Sequence, residues 1–282
     1  MEKKNKRFEQ FDIEYLIFPE IEQLGVVKHL FSTRKGGVSE GEFSTMNLSF
    51  TRGDNPDAVE ENFKRIAATM ERTLGDFVLS DQTHTTNVLR VSEKHKGMGV
   101  KRPRTYADVD GLVTNEPGIV LGTFFADCVP LYFVDPVAHA IGLSHSGWKG
   151  TVGKIGARTV TSMMEEFGSR PEHIHVGIGP SICRECYEVS EDVKEEFVRV
   201  FGEKPHKSKE EAIRNNGILY ETGENKFQLD LWKANEKIML EAGISKEHIY
   251  ITDFCTCCNA DYLFSHRKTN GKRGNLGAFL SL

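Results

Sequence analysis

Cysteine is scarce, with six in 282 residues, far below the density of a disulfide scaffold, so metal binding or packing is the better expectation for the thiols. Long hydrophobic runs are missing too. The longest apolar-rich region, Gly118 to Leu143, is interrupted by Asp127 and Asp135, which leaves no stretch of about 20 apolar residues to cross a bilayer. Positive charge is not in excess: 36 Lys and Arg against 41 Asp and Glu give a net charge of −5, removing the whole-molecule field that recruits nucleic acid. Internal repeats, low-complexity tracts and Pro- or Ser-rich linkers are absent. Lys3, Lys4, Lys6 and Arg7 open the chain, but Phe8 to Glu14 lacks the continuous apolar segment of a secretory signal. The expectation is a folded cytoplasmic protein with reduced thiols and no membrane or nucleic-acid partner. One continuous domain over residues 1–282 is expected, with 1–30 an N-terminal extension or first strand.

What is present is periodic. Asn55-Pro56 followed by Val59, Phe63, Ile66, Ala67 and Met70 predicts a capped amphipathic helix ending by Gly75. A second helix is predicted from about Thr151 to Phe167, terminated by Gly168, with two more after Ser190 and after Asp230. Short β-type runs lie at Phe77 to Leu79, Val88 to Val91, Ile119 to Phe125, Val129 to Val134, Ala140 to Ser144, Ile174 to Ile178, Ile249 to Thr252 and Ala278 to Leu280. Two of them, Ile119 to Phe125 and Val129 to Val134, are apolar almost throughout, as strands covered on both faces are. The fold class is α+β, mixed sheets between helices.

Polar groups of chemical interest sit where these apolar runs end. Cys128 stands in Ala126-Asp127-Cys128-Val129-Pro130, His145 in Ser144-His145-Ser146-Gly147-Trp148-Lys149-Gly150, and His84 in Asp81-Gln82-Thr83-His84. Two imidazoles and a thiolate from three strand ends make a three-ligand site with one open position, the pattern of catalytic zinc, and the soft donor disfavours magnesium and calcium. On residues alone the plainer reading leads, because a lone Cys is usually a small buried hydrophobe and a lone His a hydrogen-bonded structural group.

The residues Phe31-Ser32-Thr33-Arg34-Lys35-Gly36-Gly37-Val38-Ser39, Met46-Asn47-Leu48, the three segments just quoted, Gly179-Pro180 with Cys186-Tyr187-Glu188-Val189, and Phe264-Ser265-His266-Arg267 occur in one order along the chain. Together they resemble the laccase-domain family, also called the multicopper polyphenol oxidoreductase family, whose members are described as purine nucleoside phosphorylases. The resemblance runs from about Phe31 to Leu282. It implies metal ligands at His84, Cys128 and His145, and a layered α/β/β/α sandwich. It also implies phosphorolysis of adenosine, inosine and methylthioadenosine, with some adenosine deamination. Zinc is the implied cofactor, copper the one suggested by the older family description. Purine nucleosides and phosphate are the implied partners; protein partners stay unknown.

Phosphorolysis requires an anion site beside a sugar that develops positive charge. Arg34 in its Gly-rich loop is the first candidate, Lys149 before the predicted helix the second, and Arg267 the third. Asn47 either orients substrate or caps a turn. Asp127, next to Cys128, is the nearest candidate for proton transfer, although strand alternation would point it away from Cys128. An isolated Arg is more often solvated and a Gly-rich loop more often a turn, so each of these stands beside a structural alternative.

Other signals fail. The nucleobase-deaminase pattern of His-x-Glu with Pro-Cys-x-x-Cys is absent. Gly147 to Lys154 has one residue too many for a phosphate loop, and Ile155 stands where Ser or Thr belongs. A multicopper oxidase needs several further histidines, which the pair His173 and His175 does not supply. Cys183-x-x-Cys186 with Cys255-x-Cys257-Cys258 reads as packed or redox-sensitive thiols rather than structural zinc, since the second cluster is spaced wrongly and lies about seventy residues away. A thiol hydrolase or amidase with Cys128 as nucleophile and His145 as base is the rival enzyme, and a non-enzymatic regulator would leave the triad unexplained.

Overall fold

The structure, a computed structural model, describes residues 4–282. Two six-stranded mixed sheets carry it. In spatial order the first holds Asn5–Phe8, Ile13–Leu16, Lys28–Ser32, Leu276–Ser281, Val120–Phe125 and Phe77–Leu79. The second holds Ile249–Ile251, His175–Ile178, Val129–Asp135, Ala140–Ser146, Gly111–Thr114 and Val88–Arg90. Both combine antiparallel neighbours with parallel ones, such as Phe77–Leu79 against Val120–Phe125.

Alternation explains why the central strands read as unbroken apolar runs. Along Val129–Asp135, Leu131 and Phe133 face one core while Tyr132 and Val134 face another. In Val120–Phe125, Leu121 and Phe125 join the core between the sheets, and Val120 turns to the outer one. Each sheet is therefore buried on both faces, one against the other sheet and one against helices. Helix Pro56–Thr69 covers the first sheet through Val59, Phe63, Ile66 and Ala67. Helices Ile155–Phe167, Glu191–Phe201 and Leu231–Glu241 cover the second. The result is the α/β/β/α sandwich expected, tied between sheets where the Tyr132 hydroxyl donates to the Leu30 carbonyl at 2.9 Å.

Local chemistry accounts for the helix ends. The Asn55 side chain accepts from the Asp57 N–H and Pro56 opens the first turn, which satisfies a donor that the helix itself cannot. Asp230 caps Leu231–Glu241 through the Lys233 N–H. The single helix predicted from Thr151 to Phe167 is instead two, Trp148–Val152 and Ile155–Phe167, because Lys154 adopts a left-handed backbone at φ 58° and breaks the run. Gly168 terminates the second piece at φ 69°, as expected. Residues 1–30, expected as an extension or first strand, hold two strands, Asn5–Phe8 and Ile13–Leu16, and the start of a third, and the pattern missed Lys28–Ser32, Gly111–Thr114 and a small sheet of Glu188–Val189, Lys226–Leu229 and Leu219–Gly223.

Where the chain passes between sheets matters for the site. Residues 126–128 lead from Val120–Phe125 in the first sheet to Val129–Asp135 in the second, and 80–87 lead from Phe77–Leu79 to Val88–Arg90. Both crossings come off the carboxyl ends of strands. A third segment, 33–55, is held against helix Pro56–Thr69 by fully buried Asn62. Its amide oxygen accepts from the Val38 N–H at 2.9 Å, and its amide nitrogen donates to Ser39 Oγ at 2.9 Å and to the Asn47 carbonyl at 2.9 Å. Asn62→Leu therefore strands buried polar groups at one stroke. The expected loss is about 2 to 3 kcal/mol, read as a lower urea midpoint with an unchanged slope; an unchanged midpoint would show that this segment is not held from the helix.

Candidate metal centre

His84, Cys128 and His145 converge where the crossings meet the end of the second sheet. One ligand atom from each lies within 4.8 Å of the other two, and the two imidazole rings stand edge to face with centroids 4.9 Å apart. His145 comes from strand Ala140–Ser146 and is buried, Cys128 from the 126–128 crossing, and exposed His84 from the 80–87 crossing. Gly147 keeps the space open. A Cβ there would stand 3.0 Å from both Cys128 Sγ and His84 Cδ2, so a side chain at 147 would push into the donor set.

One carboxylate orients both histidines. Fully buried Asp110 accepts from His145 Nδ1 at 2.7 Å, from the backbone N–H groups of Thr83 at 3.1 Å, His84 at 3.2 Å and Thr85 at 2.8 Å, and from the Thr85 hydroxyl at 3.0 Å. Burial alone would raise the Asp110 pKa, but the hydrogen bonds from His145 and Thr85 outweigh it and hold the carboxyl below its ordinary value. With Nδ1 donating to Asp110, His145 presents Nε2 as its free ring nitrogen. The backbone of His84 takes the left-handed conformation at φ 66°, a conformation the Asp110 contacts hold.

The three donors polarise one another. Burial pushes the Cys128 thiol up, yet His145 and His84 outweigh it and bring it down to about 6. Burial opposes charge on His145 as well, but the Cys128 sulfur and Asp110 carry it up to about 9. Without a metal the pair is thus a Cys128 thiolate beside a protonated His145; the thiolate is the state a metal ligand needs, and a bound cation would take the place of the Nε2 proton. The donor set and the orienting carboxylate fit a metal ion with three protein ligands and an open side.

The open side faces a cavity of about 420 Å³ lined by the triad together with Phe50, Phe124, Gln82 and Arg273. Arg52, Arg104, Asp81 and Asn275 also reach its wall. Gln82 is fixed there, its side chain exchanging hydrogen bonds with both the N–H and the carbonyl of Phe124. Arg104 lies 3.6 Å from Asp81. Among the described residues neither Arg52 nor Arg273 has a carboxylate within ion-pair distance, and the buried Nε of Arg273 has no partner. Burial and the neighbouring Arg52 pull the Arg273 guanidinium down to about 10, so the two cations share one corner of the cavity at a cost that an anion would relieve.

The other candidates from sequence lie elsewhere. Arg34 donates to the carbonyls of Ser44 and Ala260 and packs over Phe264, fastening its loop to the C-terminal segment outside the cavity wall. Asn47 is fully buried and bonds Asp54, Ser49 and the Asn275 N–H, so it stands behind the cavity wall and supports two residues that line it, Ser49 and Asn275. Lys149 extends over the Trp148 ring on the exposed side of its short helix. Arg267 donates to the Cys186 and Glu188 carbonyls and stacks over Tyr187. Asp127 has a left-handed backbone at φ 88°, and its two oxygens accept from Thr256 Oγ1 at 2.6 Å and the Arg267 N–H at 2.7 Å. Asp110, Arg52 and Arg273 escaped the sequence reading. The signals were an acidic residue just before the apolar Gly111–Thr114 and a basic residue beyond the Phe264-Ser265-His266-Arg267 motif.

Comparison with known proteins identifies the family. A family model described as "Multi-copper polyphenol oxidoreductase laccase" matches residues 28–282. The chain is 34% identical over 253 residues to purine nucleoside phosphorylase YlmD of Bacillus subtilis, covering 89% of this chain and 87% of that protein. It is 32% identical over 256 residues to adenosine deaminase RL5 of an unknown prokaryotic organism, covering 88% of this chain and 94% of that protein. The crystal structure of YlmD from Geobacillus stearothermophilus superposes with a TM-score of 0.87 at 31% identity over 99% of both chains. With the family matched across nine-tenths of its length and the fold matched throughout, this chain belongs to the multi-copper polyphenol oxidoreductase laccase family, among enzymes named for purine nucleoside chemistry.

Proposed function

We propose that this protein is a zinc-dependent purine nucleoside phosphorylase, acting on adenosine, inosine and methylthioadenosine, with adenosine deamination as a side activity. The observation that carries the reading is the pairing of an open His84, Cys128 and His145 donor set with Arg52 and Arg273 in one cavity, two guanidiniums that donate to the Gly271 and Gly274 carbonyls but have no carboxylate in ion-pair contact among the described residues. The names of the relatives supply the substrate class. Two nitrogens and a sulfur suit zinc. When bound there, zinc supplies Lewis-acid chemistry at the coordination position that the three side chains leave free.

The protein's own groups have separable tasks. Arg52 and Arg273 hold phosphate as a dianion and orient one of its oxygens toward the sugar. Phe50 and Phe124 offer aromatic faces for the flat base, and Gln82, locked by its bonds to Phe124, offers no free amide to reorient. The phosphate oxygen forms a bond to the anomeric carbon as the carbon–nitrogen bond to the base breaks; the electron pair leaves with the base, which takes up the proton that the hydrogen phosphate dianion gives up as it becomes the sugar phosphate. Fixed charge costs no reorganisation during that step. Asp110 keeps His145 in the tautomer that presents Nε2. A cytoplasmic setting fits six unpaired cysteines, and no helix is long and apolar enough to cross a membrane.

A metal-free thiol hydrolase is the second reading, favoured by the lowered Cys128 thiol beside His145. Polyphenol oxidation would need further histidine-rich sets, and only one of the two ligand clusters among the described residues contains histidine.

Three measurements follow. Metal-stripped protein, zinc-restored protein and His84→Ala are assayed on adenosine and inosine with and without phosphate. Base and ribose 1-phosphate are expected in equal amounts, only with zinc and phosphate together, and His84→Ala is expected to lose at least about 100-fold in kcat/KM. Turnover that survives metal removal and stops on alkylation of Cys128 would establish the thiol hydrolase instead. For Arg273→Gln, the phosphate KM is expected to rise about 10- to 100-fold, the loss of one charge-assisted contact, while the nucleoside KM stays near wild type. In Asp110→Asn, zinc affinity measured in a metal buffer is expected to fall about 10- to 100-fold; unchanged affinity in a folded variant would remove Asp110 from its positioning role.

A further inference from the structure

A second group of donors lies outside the cavity, and the sequence pattern had set it aside. The loops 179–187 and 252–265 run side by side, joined by a parallel bridge between Ser181 and Cys255 and by the Thr256 N–H donating to the Ser181 carbonyl at 3.0 Å. This apposition cancels their separation in sequence. The spacing objection falls as well: Cys257 is a bystander, and Cys255-x-x-Cys258 is a second Cys-x-x-Cys facing Cys183-x-x-Cys186. The sulfurs of Cys183, Cys186, Cys255 and Cys258 all lie within 4.8 Å of one another. Cys258 Sγ is 3.9 Å from that of Cys183 and 3.4 Å from that of Cys186, and none of the four is in a disulfide.

We propose that Cys183, Cys186, Cys255 and Cys258 hold a structural zinc ion. Four Zn–S bonds of about 2.3 Å in a tetrahedron place the sulfurs about 3.8 Å apart; the two Cys258 distances, 3.9 and 3.4 Å, bracket that value and the remaining pairs lie within 4.8 Å. A cluster of several irons would spread the four sulfurs further, so a single ion suits them better. Cys255 Sγ already accepts from the Cys183 N–H at 3.2 Å and the Cys258 N–H at 3.3 Å, the backbone donors that steady a metal-bound thiolate. With four protein ligands the site has no vacancy and does no chemistry.

Its purpose lies in what the two loops touch. Thr256, between the last pair of ligands, donates to Asp127, and the Ile182 N–H, just before the first ligand, donates to the Asp127 carbonyl at 3.0 Å. Asp127 precedes Cys128 of the donor set in the cavity. The ion fastens both loops around the residue that aims the Cys128 sulfur.

The test counts metal. Protein made in zinc-supplemented medium and purified without chelator is analysed for zinc per chain, beside Cys183→Ser/Cys186→Ser, Cys257→Ser and His84→Ala. The double variant is expected to hold one equivalent less than wild type, and Cys257→Ser as much as wild type. His84→Ala is expected to keep the cysteine-bound ion whatever the other site loads, so failure here is distinguishable from failure of the proposed activity. If the double variant does not fold, Cys128→Ser, which leaves no thiol in the other donor set, is titrated with an organomercurial and should release one zinc as the four clustered thiols react. Equal zinc in the double variant and wild type, release of no zinc with those thiols, disulfides among the four in freshly isolated protein, or iron in place of zinc would each overturn the proposal.

Discussion

The carboxylate of Asp110 is the contact on which the rest of the site depends. A fully buried carboxylate is costly unless its lone pairs are filled, and here three backbone N–H groups, one hydroxyl and one imidazole fill them. The donors come from both sides of the problem. Thr83, His84 and Thr85 belong to the crossing between sheets, whereas His145 belongs to a central strand of the second sheet. Satisfying one charge thus fixes the position of one histidine and the tautomer of the other. Removing the charge would leave several buried donors unpaired at once, and such losses are larger than the mean worth of a hydrogen bond.

The sandwich makes that placement possible. Because both sheets are apolar on both faces, polar side chains have few places to go except the strand ends. The triad and the cavity gather at one such end, where two crossings leave the first sheet. Segment 33–55 closes the cavity from another side, bringing Phe50 and Arg52 to it, and Asn62 on the covering helix keeps that segment in place. Packing far from the chemistry therefore sets the distance between the cations and the donor set.

Much of this was legible in the sequence wherever the signal is local. Helix Pro56–Thr69 shows its cap and its apolar stripe, and Val129–Asp135 shows a strand covered twice. His84, Cys128 and His145 stood out because each ends an apolar run. Asn5–Phe8 at the sheet edge and Ile13–Leu16 beside it did not, since four residues each are too short to show a period and they are strands because Lys28–Ser32 receives Ile13–Leu16, which in turn receives Asn5–Phe8. The helix break at Lys154 was hidden because apolar spacing continues through it. Arg34 and Arg267 looked like anion ligands from their motifs, but guanidiniums also bind carbonyls, and only the folded chain shows which use each has. Arg52 and Arg273 form a pair only through tertiary approach.

Asp127 shows how the two clusters become one device. Next to a thiol and in a catalytic-looking motif, it reads as an acid or base. Both its oxygens, however, already accept hydrogen bonds, from Thr256 and from the Arg267 N–H, and its backbone sits in a left-handed conformation that L residues adopt at a cost of about 1 kcal/mol or more. A strained residue with a saturated side chain is suited to fixing direction rather than moving protons. Direction is what the 126–128 crossing must supply, because Cys128 has to leave one sheet, face two histidines and enter the other within three residues. The loops that hold Asp127 are the ones carrying the four clustered cysteines. Rigidity imposed on those loops is transmitted through two hydrogen bonds and one peptide link to the sulfur in the cavity. The cysteine cluster and the His84, Cys128 and His145 set therefore answer to the same mechanical constraint, the path of the chain through Asp127.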